Sequence, residues 1–501
     1  MLAIVCSGLL LVAMDATVLN VALPSIAHQL SPSATQLLWI IDLYSLVVAG
    51  LLVLAGSLSD RFGRRRIFLI GLVVFGLSSV VSAMADTTGL LIAARALRGV
   101  GGALIMPATL SIIRTVFTDA RERGLAIAIW ASTASAGTAI GPILAGVLLE
   151  NYWWGSVFLL TIPPVLLAAV GALVWVPESR DPNPGSIDGV SALLSIVGML
   201  GIVYGIKEIA KHGFSDALAV TLGGAGMVAM GVFLARQRRL AYPMIDLDLF
   251  RSRRFTTSAL AVLLSFFGFF GLLFFVTQYF QIVRGLSPLA TGVRMLPLAI
   301  ASAVAAPLTN VFVQRFGTRV TLAVGFTVTA ASMALFTGID AQTGEAVSVL
   351  GLAGVGFGAA IAVTAGSQAI MGSAPMDRAG GAAAVQETSF ELGAGLGVAL
   401  LGSLMTATYG RYLNDVPGVA AQTLERARES LPTAADEAAG LGDAGRQLLG
   451  TAETAFFDAL SVTMLAGAAA MLLTAVLAWL FLPNRAKEQK ELEESGASGA
   501  W

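Results

Sequence analysis

The chain is a succession of apolar runs, most of them about twenty residues long or longer, separated by short polar stretches. In hydrocarbon, a run of that kind can satisfy its backbone polar groups only as a helix, or in a closed barrel whose strands would be far shorter. Fourteen runs can be drawn, at roughly 2–24, 36–58, 67–85, 89–113, 124–149, 155–176, 188–206, 216–235, 256–281, 288–313, 319–339, 346–371, 380–409 and 458–482. Composition agrees: 56% of the 501 residues are hydrophobic and 12% charged, too few charges to cover a folded chain of this size in water. The expected fold is all-α and integral to a membrane, with fourteen transmembrane helices. The chain enters its first run almost at once, as it would if a short extension preceded it.

The same composition excludes several classes of function. A net charge of −1 offers no footprint for nucleic acid. One cysteine, Cys6, and two histidines, His28 and His212, give neither a disulfide framework nor a His/Cys metal centre. No Gly-x-x-x-x-Gly-Lys-Ser/Thr phosphate loop and no Ser–His–Asp or metal-hydrolase spacing occurs. The chain is therefore expected to be no enzyme, to need no cofactor or metal, and to draw on something other than ATP.

Between the second and third runs lies Gly56-Ser-Leu-Ser-Asp-Arg-Phe-Gly-Arg-Arg-Arg66. So tight and basic a connection marks the cytoplasmic face. Gly56 and Gly63 are placed to let the backbone turn or approach closely. Asp60 is placed to pair with an arginine or to meet a helix N-terminus. Arg61, Arg64 and Arg65 complete the candidate gating loop.

Part of this pattern returns. Arg61, Phe62, Gly63 and Arg65 recur as Arg315, Phe316, Gly317 and Arg319. Gly99-Val-Gly101 recurs as Gly354-Val-Gly356, and Gly137, Gly141 and Gly146 recur as Gly393, Gly397 and Gly402. Three matches in order at a nearly constant offset indicate a duplicated unit. The domains follow: residues 1–180 as an N-terminal six-helix bundle and 181–254 as two inserted helices with a basic linker. Residues 255–483 form a C-terminal six-helix bundle, and 484–501 a cytoplasmic tail. The stretch 410–457 is a long extracellular loop of helical-hairpin character. Parallel repeats of this kind place a substrate site between the halves.

Acids at membrane depth are costly and mark function. Asp15 lies in the first run and Asp42 in the second, nearer the outer surface. Glu387 and Glu391 are one helical turn apart on one face, where they should share protons. These four are the candidate proton-coupling and cation-binding residues. Arg95 and Arg98 lie early in the fourth run and need an acid partner, which one of the four supplies. Gly137, Gly141, Pro142 and Gly146 make a small-residue packing face with a bend. Aromatics that could face an organic cation are Trp39, Tyr44, Phe266, Phe270, Phe274, Tyr279 and Phe390. The ninth-run phenylalanines go nearly all round their helix, so many are expected against lipid.

Gly56–Arg66 resembles the loop signature of the major facilitator superfamily. Arg95 with Gly99 and Gly101 resembles its span-four motif Arg-x-x-Gln-Gly-x-Gly, with Arg98 where Gln is usual. Gly137-x-x-x-Gly-Pro-x-x-Ala-Gly146 resembles the exporter-specific span-five motif, with Ala145 where Gly is usual. Asp15–Pro24 and Glu387–Gly402 resemble segments of the fourteen-spanner drug:proton antiporters. The resemblance implies two six-helix bundles related by a pseudo-twofold, plus two inserted helices. It implies a monomeric carrier in the bacterial cytoplasmic (inner) membrane, with both termini inside and lipid around it. It also implies export of hydrophobic, mainly cationic compounds such as quaternary ammonium compounds, dyes and antibiotics, by alternating access and driven by proton entry. Asp15 and Glu387 would then bind proton or cation in competition, with Arg95 tuning them. Neutral isosteres at both acids are expected to stop transport without unfolding. A dedicated antibiotic self-resistance exporter, suggested by an Ala/Gly/Arg-rich composition, and a lipid or glycolipid translocator of the same fold are the alternatives. Gly141-Pro142 disfavours an uptake symporter.

Overall fold

A computed structural model of the chain describes residues 1–484 apart from 118, 181–187, 241–242, 341–343 and 374–378. The tail expected at 484–501 lies outside the described residues except for Asn484, as do two residues of the basic linker. The described regular structure is helical. In chain order the α-helices are α1 (Leu2–Leu30), α2 (Ala34–Phe62), α3 (Arg64–Ala83), α4 (Thr88–Val116), α5 (Ala120–Asn151), α6 (Ser156–Leu159) and α7 (Ile162–Trp175). There follow α8 (Gly189–His212), α9 (Ala217–Gln237), α10 (Arg253–Gln278), α11 (Pro288–Arg294), α12 (Leu296–Leu335), α13 (Glu345–Ser373) and α14 (Ala379–Tyr412). The last are α15 (Ala421–Ala427), α16 (Leu431–Ala438) and α17 (Gly442–Phe481).

Among the described residues, 12 helical stretches are long and apolar enough to cross a membrane. One of them, Pro288–Gly338, covers two of the runs drawn from sequence. It is broken at Gly317, whose φ of 81° is not helical. The fifth run sits inside α5, where Ala136–Asn151 is a shorter apolar stretch. The stretch 410–457 contains the two short helices α15 and α16 between the end of α14 and the start of α17.

The contacts divide the chain into two units that do not follow chain order. The first is Met1–Met244, Leu273–Leu296 and Val398–Leu460; the second is Ile245–Leu272, Pro297–Gly397 and Ser461–Trp501. Helices α10, α14 and α17 therefore each contribute one part to either unit.

In the first unit, α5 lies tight on α1. A Cβ at Gly137 would sit 2.9 Å from Ala13 Cβ, and one at Gly141 would sit 2.5 Å from Thr17 Oγ1. Further along, a Cβ at Gly146 would come within 2.5 Å of Leu289 Cα at the start of α11. Small residues let these backbones meet, as the spacing implied. In the second unit Gly393 and Gly397 do the same for α14 against Leu263 and Phe267 of α10. The repeat thus appears as the same helix contact made twice.

The inserted pair α8 and α9 packs through Gly205 on Gly223 and Gly201 on Gly226. Its loop end is held by Asp188, which accepts hydrogen bonds from Arg236 at 3.1 and 3.2 Å and from Ser191 Oγ at 2.5 Å. Burial opposes ionisation of Asp188, but the hydrogen bonds from Arg236 and Ser191 outweigh it and lower its pKa from 3.8 to about 2. A depressed carboxylate contributes stability above its unfolded value and loses it as pH falls through the folded one. This tie should hold across the whole range above pH 4 and fail only toward pH 2. Thermal unfolding in detergent should show an Asp188→Asn deficit that is constant from pH 5 to 8; a deficit growing with pH across that range would contradict the assignment.

Candidate functional site

The basic turn joins α2 to α3 at Gly63. Its φ of 115° is open to glycine and strained for other residues. A Cβ there would also lie 2.5 Å from Glu178 Oε1. Glu178, which sequence reasoning passed over, follows α7 and accepts from Arg65 N at 3.2 Å. Its carboxylate also lies 3.9 and 3.7 Å from the Nε atoms of Arg65 and Arg66. An acid at the N-terminus of α3 meets unpaired backbone donors there. The backbone N–H of Arg64 donates to Ser179 O at 3.0 Å. The Arg64 guanidinium pairs with Asp60 at 3.0 Å and donates to Thr115 on α4. Asp60 does pair with an arginine, as expected, whereas Arg61 is exposed. Gly56 is different: a Cβ there would make ordinary contact with Pro107 at 3.8 Å, so close approach does not require glycine. Gly63→Ala is expected to cost about 1–3 kcal/mol from backbone strain alone, and more from the collision with Glu178. A fluorescence-monitored melt should show the drop, and Gly56→Ala should not.

The first unit holds a buried charge cluster. Asp15 on α1 pairs with two arginines of α4, Arg95 Nη1 at 2.6 Å and Arg98 Nε at 2.7 Å. All three side chains are 3% exposed or less. Arg95 also donates to Ile40 O at 2.9 Å and lies 4.9 Å from the Tyr44 ring centroid. Arg98 donates to Ser79 Oγ at 2.6 Å and lies 4.1 Å over Phe75. Glycines make this closeness available: a Cβ at Gly99 would meet Tyr44 O at 2.8 Å, and one at Gly101 would meet Phe75 N at 2.7 Å. Two guanidiniums converge on one carboxylate and orient it.

Asp42, one face of α2 further along, is paired with Lys207 Nζ at 2.7 Å, both side chains 1% exposed or less. Lys207 belongs to α8 and stands 3.8 Å over the Trp39 ring. It lies one residue past the seventh run drawn from sequence, and no sequence signal tied it to Asp42.

In the second unit Glu387 and Glu391 are half-buried on α14, one turn apart. Phe390 stacks on Phe266 at 4.6 Å, and Phe266 on Phe270 at 6.0 Å. The acids therefore share their helix with one end of a phenylalanine stack. Phe274 and Tyr279 are buried in the first unit, Phe274 edge-on to Phe275 and Tyr279 against Phe280 and Phe457. That is a packing role. No aromatic of α10 is exposed, and Phe255, Phe267, Phe274 and Phe275 are buried, so the expectation that many face lipid is corrected.

The first unit also holds a cavity of about 510 Å³. The start of α2, Lys207, the end of α14 and α15 line it. On the same side Gln281 donates to Val21 O at 2.8 Å and Leu38 packs on Gly402. His28, past the end of the first run, lies 3.7 Å from Asp436 of α16.

A multi-spanning helical chain with a duplicated unit, a basic turn on a glycine of positive φ and buried ion pairs has the form of a membrane carrier rather than an enzyme. The Major Facilitator Superfamily model matches residues 5–398, and the chain belongs to that family of transporters. It is 43% identical to the multidrug efflux pump LfrA of Mycolicibacterium smegmatis, over 95% of this chain and 94% of that one. It is 36% identical to the methyl viologen resistance protein SmvA of Salmonella typhimurium, over 94% and 95% of the two chains. It is 32% identical to the puromycin resistance protein pur8 of Streptomyces alboniger, over 100% and 94%. Among solved structures, a bacterial homologue of the human lysosomal transporter Spinster, inward-facing and unoccupied, matches with a TM-score of 0.66 at 19% identity, over 95% and 96% of the chains. That likeness concerns the fold alone.

Proposed function

We propose that this protein is a proton-driven exporter of hydrophobic, mainly cationic drugs in the bacterial inner membrane, working by alternating access. In this reading the basic turn faces the cytoplasm and the α15–α16 hairpin faces outward. The observation that carries it is the pair Glu387 and Glu391 on one face of α14, beside the Phe390–Phe266–Phe270 stack. Aromatic faces and a carboxylate together suit a lipophilic cation, and a carboxylate that can lose its proton to a cation supplies antiport by competition for one charge. The printed names of the relatives, a multidrug efflux pump and resistance proteins for methyl viologen and puromycin, support export of small molecules.

In this scheme Glu387 exchanges proton for cation. Asp15, held by Arg95 and Arg98, anchors α4 to α1 and sets the local potential. The turn at Gly63 latches one face through Asp60, Arg64, Arg65 and Glu178. Cells expressing the protein should resist lipophilic monocations better than matched neutral analogues. Equal protection against both sets would remove the case for cation recognition.

A further inference from the structure

Lys207 ties the inserted helices to a buried acid of α2. Helix α8 lies along α2: Ser195 Oγ donates to Gly50 O at 3.2 Å, and a Cβ at Gly50 would come within 2.5 Å of Ile196 Cγ1. That packing brings Lys207 Nζ to 2.7 Å from Asp42 Oδ2 and 3.8 Å from the Trp39 ring centroid. Trp39 and Asp42 are three residues apart on α2 and so share one face. Apart from this contact, neither Asp42 oxygen nor Lys207 Nζ has a hydrogen-bond partner of good geometry among the described residues. The pair is held by charge and by the ring, not by a network. Lys207 also lines the 510 Å³ cavity beneath α15, which is large enough for a drug-sized molecule.

A buried carboxylate with an indole on the same helix face is the chemistry that recognises an organic ammonium ion, and the lysine they hold lines the cavity. The lysine is an alkylammonium on a flexible stem. We propose that Trp39 and Asp42 form an organic-cation site on the hairpin side of the carrier, and that Lys207 is its tethered occupant. By filling the site, Lys207 keeps a released cation from rebinding. The inference rests on the proposed export of cations outward past the hairpin, and it assigns Lys207 as a specificity-determining residue of that path.

The test is an equilibrium titration of the purified full-length protein in detergent with tetraphenylphosphonium. Lys207→Met should bind one more equivalent than wild type, because the carboxylate and ring are vacated. Lys207→Arg should keep the wild-type stoichiometry, and Asp42→Asn combined with Lys207→Met should lose the extra equivalent. Should Lys207→Met fail to give monodisperse protein, Lys207→Gln retains a donor toward Asp42 and should show the same gain. Unchanged stoichiometry in the neutral variant that folds, or an extra equivalent that survives Asp42→Asn, overturns the proposal. No gradient or transport enters this measurement, so a failure of the export reading would appear in the resistance assay and not here.

Discussion

Asp15→Asn is expected to be the most destabilising single change in the charge network and to abolish transport with it. Sequence reasoning favours the carboxamide as a silent probe, since it keeps volume and can still hydrogen-bond. The geometry says otherwise. One carboxylate serves Arg95 and Arg98 at 2.6 and 2.7 Å, in a place where all three side chains are 3% exposed or less. Removing it leaves two buried cations facing a neutral group. Breaking one buried pair costs about 3–5 kcal/mol, because the uncompensated charge stays behind. Here two charges stay behind, so the loss should lie at the upper end of that range. A thermal melt in detergent measures it. Adding Arg98→Gln to Asp15→Asn should restore part of the lost midpoint, since one stranded cation is then gone. A single Asp15→Asn variant that melts like wild type would show that Arg95 and Arg98 do not depend on this carboxylate.

Glu387→Gln should do the opposite: keep the fold and stop pH-driven efflux. Its neighbour one turn along the same helix is another acid, Glu391, and among the described residues no ion pair joins Glu387 to a base. Neutralising it therefore strands no cation and relieves one like-charge contact. Uphill accumulation of a lipophilic cation outside the cell should fall to the level of cells without the protein. Drug added to weakly buffered wild-type protein in detergent should release protons, and the variant should release none. A Glu387→Gln variant that still pumps uphill at wild-type rate would move the coupling role to Glu391.

How much of this was legible in the sequence depends on how local the cause is. The apolar runs, the duplicated glycines and the turn at Gly63 are visible because backbone satisfaction and steric freedom act within a few residues. The pairing of Arg95 and Arg98 with an acid was legible because a buried arginine demands one. The choice of Asp15 from four acids was not, since it follows from how α1 and α4 pack. Glu178 was missed because it follows a helix end and reads as ordinary solvated tail. Lys207 was missed because its partner lies on α2, distant in the chain, and it falls just past a run boundary. The burial of the α10 aromatics was also hidden: a helix apolar all round can face lipid or be buried in protein, and periodicity does not distinguish the two.

Gly63 and Gly317 both adopt positive φ, at 115° and 81°. At the repeat offset, Gln314 stands where Asp60 would and Thr318 where Arg64 would. Both members of the ion pair are replaced together, and Arg319 lies 4.4 Å over Trp479. The chain thus contains its own double substitution: a bend of the same kind with neutral residues where Asp60 and Arg64 stand in the first. The charges are not needed to bend the backbone. They add a clasp whose side chains are 19% and 37% exposed, within reach of dissolved ions. Raising ionic strength should loosen the Asp60–Arg64 clasp of the first turn, and the second turn has no acid–base pair at the equivalent positions to lose.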